Sequence, residues 1–226
     1  MSFRNLVDGD LAFINHTSVY QSCNIQVHLF VGSQIVWLVG SSILKRTQTE
    51  ALLRPGGCGL NLGRVNISLW WQGYSGLALM QVVNKLKYLS RFGPQPSAIL
   101  LHCGGSDLGH TSIRKLRLQT KKVTKFIKTN FPNARIIWSC VLPRIAWKYS
   151  HNRPKMEEAR RCLNPFASAL NKSEGGVISY PDIKPQPTFL HSDGVHLSKL
   201  GNSILLNTLQ GGLEAILCYN VVYFPQ

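Results

Sequence analysis

A chain of 226 residues, 44% hydrophobic and 15% charged, is composed like a globular protein and is long enough to bury one full core, so a second catalytic domain is not expected. No run of about 18 uncharged apolar residues offers a membrane span. The formal net charge of +15 exceeds what solubility requires and points to an anionic neighbour, RNA or an acidic membrane surface, without choosing between them.

Residues 1–33 show no clear periodicity and read as an appendage of unknown role. Their start, MSFRNLVDGD, places Asp8 and Asp10 ahead of any apolar stretch, unlike a secretion signal, so a cytoplasmic or nuclear location is expected. The six cysteines (Cys23, Cys58, Cys103, Cys140, Cys162 and Cys218) are scattered, and Cys103 and Cys140 end apolar runs where small buried thiols are common, in keeping with a reducing setting. Asn15, Asn66 and Asn171 begin glycosylation-type triplets, but Asn66 adjoins an apolar run that reads as a buried strand.

From residue 34 onward, short apolar runs predict strands at Ile35–Val39, Ile67–Trp71, Ala98–His102, Arg135–Val141 and Val177–Tyr180. Helical patterns lie between and after them, at Tyr74–Phe92, Thr111–Asn130, Met156–Leu170 and Ser198–Leu217. Such alternation is the signature of a mostly parallel sheet covered on both faces. The domain is expected over 34–217, with 218–226 as a tail. Ser198 is positioned to cap the last helix, and PDIKPQP at 181–187 reads as a stiff connector into the loop before it.

The second of these helical patterns concentrates the charge: Arg114, Lys115, Arg117, Lys121, Lys122, Lys125 and Lys128 occur in Thr111–Asn130 with no acidic residue. Ile113, Leu116, Val123 and Ile127 recur at near-helical spacing, so the cations fall largely on the opposite face. That face is either a solvated exterior or an anion-binding surface.

In open α/β sheets, sites gather at the carboxyl ends of strands. Ser42 follows the first predicted strand, Ser75-Gly76 the second, Gly104-Gly105 the third, and Asp193 with His196 the fifth. A serine hydroxyl becomes a competent nucleophile when an imidazole takes its proton and a carboxylate holds that imidazole in the right tautomer. An Asp three residues before a His can orient the ring from the same loop. Taken singly, each residue has a plainer reading: Ser42 as a helix cap, Asp193 as a turn former, His196 as a surface histidine, Gly76 and Gly104 as turn glycines. His191, Asp193 and His196 could also be read as a zinc cluster, although their spacing matches no familiar helix-borne zinc motif. Trp70 and Trp71 suit core and rim packing, or stacking on a base or lipid chain.

The runs IVWLVGSSI (35–43), GYSG (73–76), GGSD (104–107) and DGVH (193–196) resemble, in order, the four sequence blocks of the SGNH hydrolases, or GDSL-type esterases, over roughly residues 34–215. The resemblance implies a three-layer α/β/α sandwich with a flavodoxin-like, mostly parallel five-stranded sheet. It implies ester hydrolysis without a cofactor or metal, on a small ester or an acetylated lipid. By matching position, Ser42 resembles the nucleophile, His196 the base and Asp193 its orienting acid, with Ser42, Gly76 and Ser106 forming the oxyanion hole. Ser106 stands where the family has Asn, and loss of one such donor costs about a hundredfold or more in rate. Ser41 replaces the usual Asp of the first block. Gly105, Arg144 and Trp147 are expected to line the substrate site. VWLVGSSILKR, WWQGYSG and LPRIAW also resemble SGNH-type domains of vertebrate retroelement-derived proteins, a setting that fits the positive charge. Two functions follow as expectations: an esterase, or a catalytically weak SGNH-fold module that binds nucleic acid or an acidic membrane through the basic helix.

Overall fold

The structure is a computed structural model that describes residues 33–171 and 175–225. The appendage expected at 1–33 therefore lies outside the described residues except for Ser33, as do Asn15 and Cys23. Six strands form one sheet: β1 (Gln34–Gly40), β2 (Ile67–Gly73), β3 (Ala98–His102), β4 (Arg135–Ser139), β5 (Gly176–Ile178) and β6 (Tyr223–Phe224). All neighbours run parallel, in the order β2-β1-β3-β4-β5-β6. The first five strands follow the doubly wound order 2-1-3-4-5, and the chain reverses between β1 and β3, where such folds place their crevice.

The helices are α1 (Ser42–Leu52), α2 (Val82–Leu89), α3 (Ile113–Asn130), α4 (Arg153–Asn171) and α5 (Lys199–Tyr219). α1 packs on α5, and α2, α3 and α4 pack in succession, so helices cover both faces of the sheet. The central strands are buried on both sides and are accordingly apolar throughout, as Val36, Trp37, Leu38 and Val39 in β1 and Ala98–Leu101 in β3 show. Trp37 is sealed edge-on between Trp70 and Phe131, at 5.0 and 5.3 Å between ring centroids, and its indole N–H donates to the Pro94 carbonyl. Trp71 is also buried, with its N–H on the Cys58 carbonyl, so the tryptophan pair serves packing. No helix among the described residues is long and apolar enough to cross a membrane.

Four features depart from the expectation. The helix predicted from Tyr74 begins only at Leu79–Gln81 as a 3-10 turn and becomes α-helical at Val82, because Gly76 takes φ +69° in a β-turn closed by Leu77 N–H on the Tyr74 carbonyl. α1 was not expected from the pattern, since its buried positions include only Ile43, Leu44, Thr47 and Ala51. The sheet has six strands rather than five: Asn220 ends α5 in the left-handed conformation, and the segment expected to be a tail returns to pair with β5. Asn66, in the left-handed region at φ 57°, sits at the turn before β2 rather than within the strand.

The turn from β1 into α1 is a tight junction at the sheet's carboxyl edge. Tyr74 N–H donates to Gly40 O, and Ser41 N–H donates to His102 O, so the ends of β2 and β3 grip this turn from both sides. A Cβ on Gly73 would lie 2.4 Å from the backbone N of Lys45, and one on Gly40 would lie 2.5 Å from His102 O. Backbone leaves neither contact room to yield. Gly73→Ala is expected to lower stability by about 1–3 kcal/mol, the usual cost of overpacking. Gly63→Ala, where a Cβ meets nothing within 4 Å, should stay within about 0.5 kcal/mol of wild type. Urea unfolding of the two variants checks this, and equal midpoints would refute it.

Candidate active site

Ser42 is the first residue of α1, and Ser41 rather than Ser42 occupies the cap position, with no side-chain capping bond. The Ser42 hydroxyl is thus not spent on the helix, and its backbone N–H, like others in a first helical turn, has no intrahelical acceptor. Asp193 and His196 lie on the loop before α5, whose first turn Ser198 caps by accepting from Gly201 N–H. One Asp193 oxygen accepts from the backbone N–H groups of Val195 and His196, both at 2.9 Å. The other lies 2.6 Å from His196 Nδ1, and His196 Nε2 lies 2.9 Å from Ser42 Oγ. A carboxylate only accepts, so Nδ1 carries the proton and Nε2 is left to accept from the serine hydroxyl.

Burial opposes ionisation of Asp193, but the His196 backbone N–H, the His196 ring and the Val195 N–H outweigh it and hold the carboxyl well below the usual carboxylate range. The orienting charge therefore persists at neutral pH. His191 does not join this group as a ligand would: its ring meets Ser192 Oγ, while both nitrogens of His196 are already engaged.

The loop is braced from the β4 side. Gly194, at φ +67°, presents its carbonyl to the N–H groups of both Ile145 and Ala146, at 2.9 and 3.0 Å. Arg144 donates to Gly105 O at 3.0 Å and stacks on buried Trp147 at 5.1 Å. Burial, partly countered by Asp193, draws the Arg144 guanidinium down to about 10. Arg144 thus joins the loop after β4 to that after β3, and the Ile145 and Ala146 N–H groups join it to the loop after β5.

Ser42, Gly76 and His196 line a common pocket of about 380 Å³ with Lys45, Arg46, Thr49 and Ser75. Gly105, Arg144 and Trp147 are not in that lining, and neither is half-buried Ser106. A larger cavity, about 1040 Å³, opens between α4 and the segments after β4 and β5, and it includes none of Ser42, Asp193 and His196.

Three residues here carried no role in the sequence reading. Asp107, buried after β3, accepts the Leu79 N–H on both oxygens, at 3.0 and 3.3 Å, and so ties the Gly104–Asp107 loop to the chain just beyond Gly76. Lys45 and Arg46 enter the pocket because α1 is helical, which places them three and four residues from Ser42 on one face. Recognising α1 would have revealed both. The seven cations of α3 are all exposed, over a buried face of Leu116, Thr120, Val123, Thr124 and Ile127. Arg117 and Lys121 lean over the Phe166 ring of α4.

The same architecture recurs in solved structures. The psychrotrophic esterase EstA from Pseudoalteromonas superposes with a TM-score of 0.63 at 15% identity, over 82% of this chain and 100% of that one. TesA gives 0.62 at 16%, over 81% and 99%. A lipase/acylhydrolase from Enterococcus faecalis gives 0.59 at 13%, over 80% and 96%. The fold is that of the GDSL-type hydrolases. No protein-family model matches the sequence, and no curated protein matches it. At these identities the GDSL-type likeness is one of architecture, and the roles of individual residues rest on the geometry above.

His102 at the end of β3 forms a buried chain with Ser139 Oγ at 2.8 Å and, through it, Tyr180 OH at 2.5 Å. Burial, with Arg144 adding to it, pulls the imidazole down to about 3. The unfolded chain takes up this proton near its ordinary value of about 6.5, so the contribution is complete above that pH and is lost as pH falls toward the folded value. Wild type should therefore lose stability relative to His102→Phe by up to about 1.4 kcal/mol per pH unit between about pH 6 and pH 4. Parallel urea-unfolding curves for the two proteins across that range would refute this.

Proposed function

We propose that the protein is a serine ester hydrolase of the SGNH type. The observation that carries this reading is the continuous relay from Asp193 Oδ2 through His196 to Ser42 Oγ, with contacts of 2.6 and 2.9 Å. Ser42 Oγ bonds to the ester carbonyl carbon as its proton passes to His196 Nε2, and Asp193 stabilises the resulting imidazolium. The tetrahedral oxyanion is received by the N–H groups of Ser42 and Gly76 and by the Ser106 hydroxyl. The carbon–oxygen bond to the alcohol then breaks as His196 returns the proton to the leaving oxygen. Water repeats the sequence on the acyl-serine, releasing the acid and restoring Ser42. These steps call on no metal or cofactor. A pocket of about 380 Å³ suits a small acyl group better than a long chain, in line with an acetylated lipid or another short ester.

Three variants test the assignment on p-nitrophenyl acetate. Ser42→Ala should abolish turnover and fluorophosphonate labelling, a loss of about a thousandfold or more, and Asp193→Asn should cost about a hundredfold or more. Ser106→Asn should raise kcat by about tenfold to a hundredfold, since it returns a longer donor to the oxyanion. Turnover that survives Ser42→Ala would end the esterase reading, and an unchanged rate in Ser106→Asn would end the account of the hole.

A second reading rests on the exposed, acid-free cationic face of α3, on which Arg114, Lys115, Lys122 and Lys125 face solvent. It is a binding surface for the phosphates of RNA, and an acidic membrane is the competing partner. Affinity for single-stranded RNA should fall steeply with salt and weaken when Lys121, Lys122 and Lys125 are replaced by alanine. Salt-independent binding, or binding of anionic vesicles alone, would remove it.

A further inference from the structure

We propose that the ester cleaved at Ser42 carries an anionic group, a phosphate or carboxylate a few bonds from the scissile carbonyl, and that Lys45 and Arg46 receive it. This inference rests on the esterase reading and adds its substrate class. Ser42, Lys45, Arg46 and Thr49 follow the i, i+3, i+4, i+7 spacing of one helical face, and all four line the pocket that holds His196 and Gly76. No carboxylate is in that lining, and the first turn of α1 contains no acidic residue.

The pocket's charge is not cancelled by its surroundings. Arg46 Nη1 lies 3.8 Å from Asp193 Oδ2, but that oxygen is already held by the His196 ring at 2.6 Å. Glu50 follows Arg46 by one helical turn without forming an ion pair with it, and Lys45 forms none among the described residues. Arg46 thus has only a carboxylate shared with His196, Lys45 has none, and the amino end of α1 adds its own positive potential at Ser42. An anion here gains both charges. A neutral ester leaves them solvated and gains nothing from them.

The oxyanion hole also makes the arrangement useful. With Ser106 taken as the third donor, as the esterase reading has it, a hydroxyl replaces a longer amide, and a substrate anchored by its own charge holds the carbonyl over Ser42 for longer. The bonds that change remain those of ester hydrolysis, and the anion itself is not altered.

The closing experiment compares esters matched except for charge. On the alcohol side the pair is acetylglycerol 3-phosphate and acetylglycerol; on the acyl side it is the p-nitrophenyl hemisuccinate and the butyrate. Wild type should favour the charged member of at least one pair by about fivefold or more in kcat/KM, mainly through KM, which is what two half-exposed cations supply. Lys45→Met should collapse that ratio toward one, Lys45→Arg should keep it, and Lys45→Glu should invert it. Adding a long alkyl chain to the glycerophosphate, in phosphatidylcholine vesicles, separates sources: faster turnover assigns a lipid headgroup, slower turnover a soluble ester. A ratio near one in wild type, or one untouched by Lys45→Met and Lys45→Glu, overturns the proposal while fluorophosphonate labelling of Ser42 still supports the esterase. Absence of that labelling overturns both.

Discussion

The constraint on which the site depends is the absence of room beside the first turn of α1. Backbone meets backbone there, with Gly73 against Lys45 N and Gly40 against His102 O, and the flanking N–H groups of Ser41 and Tyr74 close the same junction by hydrogen bonds. A helix start gripped between two parallel strand ends cannot rotate or slide without breaking those contacts. Ser42 Oγ inherits that rigidity, which lets a loop more than 150 residues away in sequence meet it at 2.9 Å.

The opposing half of the relay is held differently. The loop with Asp193 and His196 is short of regular structure, so its geometry comes from polar contacts: two backbone N–H groups on one Asp193 oxygen, two more on the Gly194 carbonyl, and the Ser198 cap behind it. Arg144 ties the neighbouring segment to the Gly105 carbonyl and stacks on Trp147. The same polar packing fixes protonation. Asp193 is kept ionised and His102 is kept neutral by environments that differ in burial and hydrogen-bond donors.

Positive charge is unevenly distributed over this frame. The α3 face displays its cations to solvent, where each acts mainly through long-range attraction and is screened by salt. Lys45 and Arg46 are only two charges, half-buried and exposed respectively, but both line the pocket that holds Ser42 and His196. The net charge of the chain therefore does not say which cations lie beside Ser42.

Local pattern determined much of what was legible in the sequence. The five main strands, the helix of α3 with its cationic outer face, the Ser198 cap and the pairing of Asp193 with His196 all follow from periodicity or from residues within a turn of one another. Tertiary structure decided the rest. Three-dimensional contact delayed α2 to Val82, through the left-handed turn at Gly76 and the reach of Asp107 to Leu79 N–H. It also brought the two residues of β6 back to the sheet edge, and it drew Lys45 and Arg46 into the pocket by making α1 a helix. Periodicity reports the neighbours a residue has along the chain. Which charges share a cavity depends on neighbours that only the packed sheet supplies.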